Sequence, residues 1–185
     1  MRGQRLRISG GELRSRSVPA PRGLTTRPTS GKVREALFAI WAERVEGARV
    51  LDLYAGSGAV GFEALSRGAA SVTFVELHAP TAAAIKRAAT DLGVGARAAV
   101  LCAPVEKAAQ RLSGRFDIVY ADPPYALPPP HLTLSTLRLR GAIDAASAIV
   151  YERREGGPPF AAPGFATTRE ARYGDTVLQF IMVEA

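Results

Sequence analysis

Apolar positions change rhythm along the chain, and the changes mark its elements. Val33, Leu37, Phe38, Ile40 and Trp41 recur at helical spacing, which predicts a helix with Thr29 or Ser30 as its N-cap. After Gly47 short continuous apolar runs alternate with helical stretches. Strands are predicted at 48–54, 71–75, 98–102 and 116–121, with helices at 59–67, 79–92 and 105–112. Runs that are apolar throughout, rather than at every second residue, belong to a parallel sheet covered on both faces. Beyond residue 121 the rhythm breaks. A Pro-rich loop at 126–131 precedes a helix at 132–140 and a strand at 146–152. Two further strands, 167–173 and 176–183, are joined at Gly174-Asp175, a hairpin turn pair. Upstream, Ser9-Gly10-Gly11 reads as a turn between two short strands.

This divides the chain into a small N-terminal hairpin and helix, 1–46, and an α/β domain, 47–185. A mostly parallel seven-stranded sheet ending in an antiparallel hairpin is the Rossmann-like layout of class I methyltransferases.

Composition fits that size. The 185 residues are 47% hydrophobic, enough for one domain with a sizeable core. No apolar run approaches the roughly 20 residues of a membrane helix. The Arg-rich start has no apolar stretch after it, so no signal peptide is read. Cys102 is the single cysteine, which excludes an intrachain disulfide and is expected to be a small core residue. A cytoplasmic, monomeric protein without a membrane partner is the expectation. His78, Cys102 and His131 lack ligand spacing, so no metal site is expected.

Charge changes the picture more. The net charge is +7. Residues 1–34 carry Arg2, Arg5, Arg7, Arg14, Arg16, Arg22, Arg27, Lys32 and Arg34 against Glu12 alone, while the remainder is close to neutral. Such concentration reads as a solvated basic tail or as a nucleic-acid contact surface. The second predicts binding that weakens steeply with salt, through counterion release.

Two motifs carry candidate chemistry. Asp52-Leu-Tyr54-Ala-Gly56-Ser57-Gly58-Ala-Val-Gly61 joins the first sheet strand to its helix, and its glycines allow a tight turn and close ligand approach. Asp52 ahead of them disfavours a pyrophosphate and suits the cationic methionine moiety of S-adenosylmethionine. Glu76, at the next strand end, can accept both ribose hydroxyls of a nucleoside. Leu77 and His78 follow it and can flank an adenine, although His78 reads more simply as an exposed loop residue.

Asp122-Pro123-Pro124-Tyr125 follows the fourth strand, which the doubly wound topology places beside the glycine loop. An exocyclic amine on a base is a weak nucleophile because its lone pair is delocalised into the ring. The Asp122 carboxylate and the Pro123 carbonyl can accept its two N–H groups, and the prolines fix the backbone direction. Tyr125 offers a face for the base to stack on. Catalysis is then mainly orientation and electrostatics.

The order of segments carries a resemblance. Arg7-Ile-Ser-Gly-Gly11, Arg27-Pro-Thr29, Val33-Arg-Glu-Ala-Leu-Phe38, Asp52–Gly58, Gly61, Glu63-Ala-Leu-Ser-Arg-Gly68, Asp122–Tyr125 and Tyr173-Gly-Asp-Thr176 together resemble the RsmD family of bacterial 16S rRNA guanine-N2 methyltransferases. The resemblance implies methylation of one guanine N2 in small-subunit rRNA, on an assembling 30S particle. It implies that Asp52, Tyr54, Gly56, Ser57, Gly58, Glu76, Leu77 and Ala103 line the cofactor. Asp122, Pro123 and Tyr125 would hold the guanine, while Arg5, Arg7, Arg14, Arg16, Arg27, Thr29 and Arg34 meet RNA. The chain departs from the family pattern at Gly31, where an acid is usual, and at Ala103, where an Asp is common.

Three rivals remain at this level. An adenine-N6 DNA methyltransferase would share Asp122–Tyr125 but usually carries a separate recognition domain. A noncatalytic RNA-binding module would not need the intact motif. A nicotinamide dehydrogenase is disfavoured by Asp52 and by the lack of an acid–base constellation.

Overall fold

The continuous apolar runs form the centre of one sheet. The computed structural model describes residues 5–19 and 31–184. Arg5–Arg7 (β1) and Ser17–Pro19 (β2) make a separate antiparallel pair, followed by a helix at Gly31–Trp41 (α1). Then come Arg49–Leu53 (β3), Ala59–Ser66 (α2), Ser71–Glu76 (β4), Ala79–Asp91 (α3), Ala98–Cys102 (β5), Val105–Ala109 (α4) and Ile118–Ala121 (β6). His131–Leu139 (α5), Ala148–Arg154 (β7), Phe165–Tyr173 (β8) and Thr176–Val183 (β9) complete the order.

The sheet runs β5-β4-β3-β6-β7-β9-β8. β3 to β7 run parallel to one another, and β9 pairs antiparallel with both β7 and β8. The chain order reverses between β3 and β6, so their carboxyl ends open a shared crevice. Side chains alternate between the two faces. Val50, Val72, Phe74, Ile118, Tyr120 and Val150 pack one core with α1, α2 and α3, while Leu51, Leu53, Val119, Ala121 and Ile149 pack the other with α4 and α5.

The N-terminal hairpin shares the first of these cores. Ile8, Leu13 and Val18 are buried in it beside Leu65, Ile85 and Trp41. The turn between β1 and β2 is longer than Ser9–Gly11 and spans residues 8–16. Gly11 adopts φ +75°, and a Cβ there would sit 1.7 Å from the Ser66 carbonyl oxygen, so the hairpin touches α2 where no side chain fits.

Boundaries differ from the sequence reading for identifiable reasons. β3 stops at Leu53 because Tyr54 takes φ +59° and turns the chain. β6 begins at Ile118, because Phe116 N–H donates to Ala142 and Asp117 N–H to Arg49 O outside the regular ladder. β7 lies two residues later than its apolar run, since Arg153 and Arg154 pair with Val177 and Thr176. α4 ends at Ala109 rather than Leu112. The Thr29 or Ser30 cap lies outside the described residues. Among the described residues no helix is long and apolar enough to cross a membrane.

Candidate active site

β3 ends at Leu53, and the chain then loops through Tyr54 and Ala55 to Gly58 before α2. Ala55 N–H donates to Val75 O at 2.9 Å and Gly58 N–H to Ala55 O at 2.7 Å, which ties the loop to β4. Gly56 has φ +53°, and a Cβ there would meet only the Tyr54 carbonyl oxygen, 3.9 Å away. The outer side of this turn is therefore open to a ligand. Ser57 is half-buried beside it.

Glu76 faces that opening from the end of β4. Its carboxylate accepts Gly56 N–H and His78 N–H, each at 2.8 Å, which locks it against the glycine loop. Leu77 beyond it is 67% exposed, an apolar surface beside the carboxylate. Ala103 is half-buried at the end of β5, where its N–H donates to Glu76 O at 3.2 Å. That backbone donor is thus already engaged. His78 is exposed at the start of α3, as expected. Cys102 is not the core residue expected: it is exposed at the edge strand β5, and its thiol lies 3.7 Å from Leu77 O. An edge strand covers only part of its side chains, which the apolar pattern does not reveal.

Asp52 sits deeper. It is 2% exposed, and its carboxyl accepts Gly61 N–H at 3.0 Å in the first turn of α2. It therefore satisfies a helix-end donor and sets the pose of the loop; its carboxyl points at the helix and not outward to a methionine cation. Burial pushes its pKa up to about 8, the Gly61 hydrogen bond opposes this, and Glu76 adds to it. The unfolded carboxyl has an ordinary value near 3.8. Ionising Asp52 in the folded state thus costs stability as pH rises from about 4 to about 8. Asp52→Asn keeps an acceptor for Gly61 and removes that cost. The melting temperature of the variant relative to the parent is expected to rise between pH 5 and pH 9, by more than about 2 °C. Thermal melts across that range check this, and a difference independent of pH contradicts it.

Asp122 follows β6 directly beside this loop. Burial raises its pKa well above the ordinary value, and the charges of Glu152 and Asp52 raise it further. Pro123 is buried, while Tyr125 is 60% exposed at the crevice mouth. Leu127 N–H closes a turn on Pro124 O at 2.8 Å, which shapes the loop carrying the tyrosine. Tyr54 points to the other face of the sheet. Its ring packs against the second core, and burial pushes its hydroxyl up to about 12.

Sequence reasoning missed Glu152. It lies on β7, 7% exposed, and accepts a hydrogen bond from the Tyr120 hydroxyl. The available signal was a single acid ending the apolar run Ala148-Ile-Val-Tyr151.

The basic residues divide. Arg5, Arg7, Arg14 and Arg16 are exposed on the N-terminal hairpin. Arg7 donates to Ser15 Oγ at 2.9 Å and Arg16 to Asp91 O at 3.1 Å, so both are held in place. Arg34 is 4% exposed and donates to Arg7 O at 2.6 Å and to Glu63. It is a buried tie between α1, β1 and α2, and not the surface phosphate contact expected. Arg27 and Thr29 lie outside the described residues. Among the described residues no group of three or more His, Cys, Asp and Glu is placed to hold a metal ion.

A parallel sheet with a glycine loop after β3, an acid ending β4 and Asp-Pro-Pro-Tyr after β6 is a Rossmann-like methyltransferase fold, closed by its antiparallel strand pair. Residues 6–182 match the family model described as Conserved hypothetical protein 95. The chain belongs to this family, the RsmD family. It is 35% identical over 181 residues to ribosomal RNA small subunit methyltransferase D of Escherichia coli K12, covering 97% of this chain and 91% of that one. It is 32% identical to the protein of the same name from Haemophilus influenzae, covering 85% and 83%. The solved structure of yhhF from Escherichia coli superposes with a TM-score of 0.86 at 30% identity, covering 98% of this chain and 99% of that one.

Proposed function

We propose that this chain transfers a methyl group from S-adenosylmethionine to the exocyclic N2 amine of one guanine in 16S rRNA, within an assembling 30S particle. The observation that carries this is Asp122, placed by the β3–β6 pairing beside the Gly56 opening and the locked Glu76. Family membership and the rRNA methyltransferase relatives support the methyl transfer to rRNA. The guanine and its N2 rest on the resemblance and on the chemistry of the motif.

The residues fit the cofactor. Gly56 leaves space, Glu76 presents remaining lone pairs to ribose hydroxyls, and Leu77 offers an apolar face for adenine. When bound, S-adenosylmethionine supplies an electrophilic methyl group. Asp122 and the Pro123 carbonyl hold the two amine N–H groups, and Tyr125 supports the ring. Asp122 has its proton affinity raised, so it is suited to take the proton that the amine releases as its new N–C bond forms. A paired target must first leave its stack. The arginines of the N-terminal hairpin hold the RNA backbone, and the enzyme works as a monomer in the cytoplasm.

The test incubates the protein with labelled cofactor and small-subunit particles from a modification-deficient strain, beside naked 16S rRNA. Label is expected on a single guanine as N2-methylguanine, with particles preferred. Label on an adenine, or none on rRNA in any form, overturns the reading.

A further inference from the structure

Asp122 accounts for the amine, yet a second buried carboxylate stands next to it. Ala121 pairs with Tyr151 across β6 and β7, so Asp122 and Glu152 are the next neighbours along the two strands. Adjacent strands lie about 4.8 Å apart. Tyr120 and Glu152 are bonded across the same face, and Asp122 is two residues beyond Tyr120. The charge of Glu152 also raises the proton affinity of Asp122, in keeping with their neighbouring places on the two strands.

A carboxylate buried here is costly and contributes little to packing that a glutamine would not. Its orientation is nevertheless controlled. The Tyr120 hydroxyl donates to it, and the Tyr120 ring is held edge-on by Trp41, with centroids 6.4 Å apart. A carboxylate has lone pairs for several hydrogen bonds, so the tyrosine does not exhaust it.

We propose that Glu152 is the residue that selects guanine, accepting the ring N1–H while Asp122 accepts the adjacent N2 amine. This rests on the reading of the amine as a guanine N2. Two neighbouring acceptors match the two neighbouring donors on the guanine Watson–Crick edge. Adenine and cytosine also have exocyclic amines, but the ring nitrogen beside each is an acceptor and would face the carboxylate. Uracil has a ring N–H but no amine. Tyr120 is the positioning residue for Glu152.

The test uses an RNA substrate carrying either guanine or 2-aminopurine at the target nucleotide. 2-Aminopurine keeps the N2 amine and has a bare N1. The full-length protein is expected to prefer guanine by roughly 10–100-fold in kcat/KM. Glu152→Gln keeps an acceptor for Tyr120 and offers an amide N–H to the bare N1. It is expected to narrow that preference at least about tenfold, with cofactor affinity and melting temperature close to the parent. The missing O6 of 2-aminopurine affects both proteins and cancels in this comparison. Tyr120→Phe is a second variant that leaves the carboxylate and frees its orientation, and it is expected to narrow the preference severalfold. An unchanged preference in a folded Glu152→Gln protein overturns the proposal. Should that variant not fold, an unchanged preference in Tyr120→Phe does so. Failure of the parent protein to methylate guanine RNA at all overturns the proposed function, and the role of Glu152 falls with it.

Discussion

Asp122→Ala is expected to lower kcat by roughly 10²–10³-fold, while affinity for the cofactor and for RNA changes little. In the proposed mechanism the carboxylate acts only on the reacting amine, so its loss falls on the transition state rather than on ground-state binding. On the proposed reading cofactor affinity resides in Gly56, Glu76 and Leu77, and Glu76 is held by Gly56 and His78 rather than by Asp122. Asp122→Asn keeps an acceptor but loses the charge, and is expected to fall between the parent and the alanine variant. Single-turnover methylation of rRNA with tritiated cofactor measures this. Activity within a few-fold of the parent in Asp122→Ala removes Asp122 from the chemistry.

Glu63→Ala is expected to cost about 3–5 kcal/mol of stability, the usual price of stranding buried ion-pair partners. In a chain of this size that lowers the melting temperature by roughly 10 °C. Glu63 is fully buried on α2. Its carboxylate accepts Ser9 N–H at 2.9 Å, the Ser9 hydroxyl and Gly10 N–H at 2.8 Å, Arg67 Nε at 2.9 Å and Arg34 Nε at 3.4 Å. Burial alone would raise its pKa. The Ser9 hydrogen bonds and Arg67 outweigh that and hold it below the ordinary value. Its stabilisation is therefore complete above the ordinary carboxylate range and is lost as acid protonates it. A parent-like melting temperature in Glu63→Ala would show that this cluster does not anchor the hairpin. The same contacts mean that deleting residues 1–26 is expected to destabilise the whole domain rather than remove an independent tail. Deletion would remove Ile8, Leu13 and Val18 from the core and leave Glu63 without Ser9 and Gly10.

How much of this was legible depends on the range of the signal. β4 and β9 follow the apolar runs closely, because a strand largely covered on both faces writes its burial into consecutive residues. The ends of β6 and β7 did not, because Phe116, Arg153 and Arg154 are paired or left unpaired by distant partners. The motif residues Glu76 and Asp122 were legible from their place after strands, and both lie in the crevice. Arg34 and Glu63 were not separable from surface charges by any local pattern. Their partners Arg7 and Ser9 are 27 and 54 residues away.

The sequence by itself determined the parallel sheet, the glycine turn, the Asp122–Tyr125 motif and the basic N-terminal end. Each of these is written in neighbouring residues, through side-chain periodicity or backbone freedom. Only the tertiary structure decided which charges work outward and which work inward. Arg5, Arg7, Arg14 and Arg16 remain exposed, whereas Arg34, Glu63, Asp52 and Glu152 are buried among partners from other elements. The physical reason is that a charge can be buried only where hydrogen bonds replace its water. Those bonds exist only once sheet register and helix packing bring distant residues together.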